Sequence, residues 1–70
     1  MPIDSAEGTK VKYAYPNNGT NSDKLMLQHH GLEVGGEYTV ERTIVYSFSS
    51  VVYLKEYPGV MFNTVNFTLS

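Results

Sequence analysis

The fold is decided by "LEVGGEYTVERTIVY", residues 32–46, which holds a turn and the longest strand signal in the chain. Leu32 and Val34 flank Glu33, and the glycine pair Gly35-Gly36 turns the chain. From Glu37 the residues then alternate. Tyr38, Val40, Arg42, Ile44 and Tyr46 fall on one face of a period-two strand, with Glu37, Thr39, Glu41, Thr43 and Val45 on the other. Four of the first five are apolar, so that face is expected to be the inner one, with Arg42 as its misfit.

Outward from this strand the punctuation stays dense. Ser47-Phe48-Ser49-Ser50 reads as a hairpin tip, leading into a second strand at residues 51–57. Pro58-Gly59 fits a type II turn, proline fixing the first central residue and glycine permitting positive φ at the second. Val60, Met61 and Phe62 are expected to bury themselves as a lid. Asn63 should hold the following corner by bonding its own backbone. A closing strand is expected over residues 63–69, with Val65 and Phe67 inward and Asn66 and Thr68 in water.

Upstream, Val11, Tyr13 and Tyr15 alternate with Lys10, Lys12 and Ala14, which reads as a first strand starting at Thr9. The turn formers of "PNNGT" interrupt it. Ser22 is a candidate helix cap with Asp23 behind it, two helical turns run to His30, and Gly31 ends them. Residues 1–8 read as a loose polar leader, and residues 9–70 as one small domain. The expected architecture is mainly β: a small SH3-like barrel or curled antiparallel sheet of about four to five strands, with one short helix.

Composition limits the function. The chain has 70 residues, six tyrosines, three phenylalanines and no cysteine. A chain of this length buries only about 60% of its unfolded surface. With neither disulfide nor thiolate metal to support it, a homo-oligomer is an expected source of further burial. The net charge is −2, and the basic residues Lys10, Lys12, Lys24, Arg42 and Lys55 are scattered. General nucleic-acid binding is not expected from such a balance. No signal peptide and no membrane-length apolar run is present, which points to the cytoplasm.

Catalytic patterns are missing too: there is no cysteine nucleophile, serine elbow or phosphate-binding glycine loop. The chain is therefore expected not to be an enzyme and to need no cofactor. His29-His30, set about 100° apart on a helix, suits a helix C-terminus better than a metal. Asn18-Gly19-Thr20 and Asn66-Phe67-Thr68 match the glycosylation sequon by chance in a chain without a secretory signal.

The segments "LEVGGEYTVERTIV" and "VVYLKEYPGVMFNTVNF", with "KVKYAYPNNG" upstream, resemble small phage and prophage proteins built on an SH3-like β-barrel. The likeness covers residues 32–67 and implies fold and origin, the cytoplasm of an infected or lysogenic bacterium included, without assigning any residue a role. The aromatic excess points to the mode of action. Tyr53 and Tyr57, with Lys55 and the hairpin-tip Phe48, are the candidate partner-binding residues, since interfaces favour exposed aromatics. The leading expectation is a non-enzymatic accessory protein that binds a host or competitor protein, as an inhibitor of a host enzyme or defence system. A second is an oligomer sequestering a small anionic ligand such as a signalling nucleotide, through Arg42 and Tyr46. A third is a minor virion or assembly component.

Overall fold

Strand β1, Lys10–Tyr13, is the first element in a computed structural model that describes residues 6–70. It is followed by helix α1 (Asn21–His29), strands β2 (Glu37–Val45), β3 (Ser50–Leu54) and β4 (Met61–Asn63), a 3₁₀ turn at Thr64–Asn66 and strand β5 (Phe67–Leu69). The five strands form one antiparallel sheet in the order β4-β3-β2-β1-β5. Its two edge strands, β4 and β5, are joined by the 3₁₀ turn alone. Three residues of 3₁₀ helix advance only about 6 Å, so the edges come together and the sheet curls around its core.

β2 makes the curl. Its first half pairs with β1 and its second half with β3. Between them the register shifts: Val40 lies opposite Leu54, but Arg42 lies opposite Tyr53, leaving Glu41 as an extra residue. A bulge of this kind bends a strand and reverses the phase of its side chains. Tyr38 and Val40 point inward, as the alternation predicts. Beyond Glu41, Thr43 opposite the buried Val52 takes the inner face, and Arg42 and Ile44 move to the outer face with Tyr53 and Val51. The expected inner row of Tyr38, Val40, Arg42, Ile44 and Tyr46 is thus corrected from Arg42 onward, and Tyr46 too is exposed. Arg42 is no misfit.

The core is built from Val11 and Tyr13 of β1, Leu27 of α1, Leu32, Val40, Val52, Leu54, Phe62 and Phe67. Tyr38, Tyr57 and Val60 pack against it. Rings of Tyr57, Phe62 and Phe67 meet edge-on at 5.9 and 6.4 Å, an arrangement the ring quadrupoles favour. His30 joins them, 6.2 Å from Tyr57 and 5.9 Å from Phe62, so it is half-buried while His29 stays exposed.

Helix α1 is shaped by its ends. Thr20 rather than Ser22 is the N-cap, in a box where Thr20 Oγ1 accepts from the Asp23 N–H and Asp23 accepts from the Thr20 N–H. At the other end Gly31, at φ +80°, donates to Gln28 O, and Leu32 donates to Leu27 O. That pair of bonds is a Schellman ending, with Leu27 and Leu32 both buried beside it. One helix turn thereby places two core leucines.

Gly8 donates to Val40 O and Thr9 to Ala6 O, so residues 6–8 form a turn tied to β2. The rest of the expected leader lies outside the described residues.

Candidate binding surface

The segment after β3 carries the densest set of local bonds. Val60 N–H donates to Tyr57 O, with Gly59 at φ +79°, so Pro58-Gly59 makes the expected type II turn. Phe62 is buried, but Met61 lies on the outer face opposite Tyr53 and is half exposed, so the lid closes through Phe62 and Val60. Asn63 Oδ1 accepts from the Val65 N–H, as expected for a corner residue.

Beyond Asn63 the single closing strand gives way to a 3₁₀ turn and a three-residue strand, and the phase inverts. Val65 is exposed and Asn66 is fully buried. Asn66 Nδ2 donates to Tyr15 O and Asn18 O, both at 2.8 Å, while Asn66 O accepts from the Ala14 and Tyr15 N–H groups. Asn18 Nδ2 donates in return to Val65 O. The asparagines therefore clasp the 14–18 loop to the sheet closure. Asn63 Nδ2 also donates to Asp23 Oδ2, holding the first turn of α1 beside β4.

This scaffold leaves two adjoining clefts. The first, 530 Å³, lies between α1 and the β3–β4 face and is lined by Met26, Val51, Tyr53, Val60 and Met61. Asp23 is its charged member, and its Oδ2 accepts bonds from the Thr20 N–H and from Asn63 Nδ2. The second, 480 Å³, lies under the hairpin tip and is lined by Val45, Tyr46, Phe48, Thr64 and Val65 together with serines. Ser49, Ser50 and Asn63 border both. Buried Ser50 and Thr64 hydroxyls share a 2.5 Å bond beneath that border.

The candidate residues separate on this map. Tyr53 lines the first cleft, and the Arg42 guanidinium lies 4.5 Å from the centre of its ring, a cation–π contact on the outer face. Arg42 makes no ion pair among the described residues. Phe48 stands wholly exposed at the hairpin tip, where the Tyr46 N–H donates to Ser49 O. Tyr46, half exposed, lines the second cleft, so it shares no cleft with Arg42.

Lys55 pairs with Glu7 at 3.1 Å and lines neither cleft. Tyr57 does not share a face with Tyr53. It packs against the core beside Tyr38 and Phe62, and burial, with Tyr38 nearby, pushes its phenol pKa up.

Met26 and Val65 are two of the lining residues absent from the sequence-derived candidates. Met26 had a signal: Leu25, Met26 and Leu27 sit about 100° apart on a helix and cannot all face one core. Only Leu27 is buried. Val65 had none, because strand alternation assigned it inward.

Among the described residues no helix is long and apolar enough to cross a membrane, and no group of three histidine, cysteine or acidic side chains is placed to hold a metal. Comparison with curated proteins and with solved structures yields no match. The sequence model of one family does match, over residues 9–70 and so over nearly the whole chain; that family is described as bacteriophage T4 protein Y07B. The chain belongs to the bacteriophage T4 protein Y07B family.

Proposed function

We propose that this phage protein is an SH3-like barrel that acts without catalysis, in the host cytoplasm, by binding a host or competitor protein through the outer face of β2, β3 and β4. The strand order β4-β3-β2-β1-β5, with a short 3₁₀ turn joining the edge strands, supports the barrel. The observation that carries the binding role is the first cleft. Tyr53, Met26 and Met61 present aromatic and thioether surface around a concave space, beside the Arg42 guanidinium 4.5 Å from the centre of the Tyr53 ring. Aromatic residues, methionine and arginine are the types enriched where proteins meet. Inhibition of a host enzyme or defence system is the role this mode of action fits.

A second reading rests on Arg42, whose guanidinium has no carboxylate partner among the described residues and is free to pair with a small anion such as a nucleotide. Native mass spectrometry of tagged protein recovered from infected host cells separates the two. The protein reading expects added mass of protein size, lost on Tyr53→Ala. Added mass of nucleotide size, lost on Arg42→Ala, replaces it with ligand capture. Recovery only within phage particles replaces it with a virion role.

A further inference from the structure

We infer that the hairpin tip and the second cleft join two copies of this chain in a symmetric dimer, Phe48 of each copy seated in the cleft of the other. Four observations lead there. First, knob and hole belong to one surface: Phe48 is 102% exposed and forms the rim of the 480 Å³ cleft whose remaining walls include Val45, Tyr46, Asn63, Thr64 and Val65. A surface carrying both halves of a fit is complementary to itself about a two-fold axis, the geometry of most homodimers.

Second, no charged residue lines this cleft, although the chain carries a net charge of −2. Two like-charged molecules approach at least cost across an uncharged face, and no buried charge then needs a partner. The first cleft, with Asp23 on its wall and Arg42 nearby, lacks that property.

Third, the area allows a weak, reversible contact. Val45, Tyr46 and Val65 are 54%, 52% and 44% exposed. A large ring presents roughly 150–250 Å², so fully exposed Phe48, half-exposed Tyr46 and the two smaller valines offer on the order of 400 Å² per copy. Two copies would bury at most about 800 Å², which places the dimer among weak, transient associations. A patch of this extent is as large as the largest that monomers commonly expose, and such patches are often functional.

Fourth, the tip is rigidly based. The Tyr46–Ser49 bond closes the hairpin, and the Ser50–Thr64 bond fixes its root to the 3₁₀ turn that forms the cleft wall. The backbone of the tip is therefore held before docking, and the freedom lost is that of the Phe48 side chain.

The test is sedimentation velocity on the full chain from about 5 μM to about 1 mM, a span wide enough to register a weak self-association. Wild type is expected to shift from monomer to dimer across it. Phe48→Ser, which removes only exposed surface, is expected to raise the dissociation constant at least about tenfold while leaving the circular dichroism spectrum unchanged. Val65→Asp, which sets a charge in the cleft wall, should act in the same direction, and Tyr53→Ala in the other cleft should dimerise like wild type.

A wild type monomeric at the highest concentration overturns the inference, as does a Phe48→Ser variant that dimerises normally. Capture of a foreign protein through Phe48 by a monomeric wild type also overturns it, assigning the tip to that partner. Failure of the Tyr53 cleft to bind any protein leaves the dimer standing, because the two surfaces are tested by different substitutions.

Discussion

Asn66 shows what a single side chain contributes here. It is fully buried, and its amide satisfies two backbone carbonyls of the 14–18 loop. Asn66→Ala removes both bonds, but it also removes a buried Oδ1 that has no hydrogen-bond partner among the described residues, and the Tyr15 carbonyl keeps the Asn18 N–H. A loss of about 1–2 kcal/mol is expected, readable as a lower urea midpoint with unchanged slope. Asn66→Asp should cost at least as much, since a carboxylate would face two carbonyl oxygens. The sequence made the opposite assignment because strand alternation was carried through "FNTVNF". A 3₁₀ turn has three residues per turn, so it breaks a period of two and trades Val65 for Asn66. Asn63 was legible, because an asparagine bonding its own backbone is a local event that needs no tertiary information.

At the scale of elements, the bulge at Glu41 and the cap of α1 decide what reaches the surface. Strands, hairpin tip and turns could be read from period and punctuation. The bulge could not, since nothing local in "VERTI" marks an extra residue, and the phase error placed Arg42 inside. The bend at this corner is held by Glu56, whose carboxylate accepts the Thr39 N–H at 2.9 and 3.1 Å where β3 has already ended. Burial alone would raise the pKa of that carboxyl. The hydrogen bonds from Thr39, with Lys10 nearby, outweigh it and leave the pKa below the ordinary 4.5.

A carboxylate with a lowered folded pKa stabilises above its unfolded value and loses that contribution as pH falls through the folded one. Wild type should therefore exceed Glu56→Gln in thermal midpoint at neutral pH. The difference should hold down to about pH 4.5 and shrink below it, as pH-dependent melting would record. The helix cap gives a second check: Thr20→Ala removes one half of the capping box and should cost about 1 kcal/mol. Ser22→Ala, the substitution that sequence alone singles out, should cost close to nothing.

At the scale of the whole molecule, nine buried apolar residues form one core among the described residues, and six of the ten exposed large apolar side chains line the two clefts. Which strands meet was partly legible, because short strands joined by tight turns leave few topologies. Where α1 docks was not, because its position depends on the Asp23–Asn63 bond between residues 40 apart in sequence. The same distance effect divided the candidate residues. Tyr53 and Tyr57, four apart, read as neighbours on one strand, yet β3 ends at Leu54 and Tyr57 turns into the core.

The outer face of β2–β4 is the surface proposed to bind the partner. Its most direct test is quantitative affinity capture from host lysate with three forms of the full chain: wild type, Tyr53→Ala/Met61→Ser on that face, and Lys12→Ala/Thr68→Ala on the paired β1–β5 face. The prediction is one host protein recovered in comparable amounts by wild type and the β1–β5 variant, and reduced at least about tenfold with the Tyr53/Met61 variant. Equal recovery by all three, or loss confined to the Lys12/Thr68 variant, would contradict it.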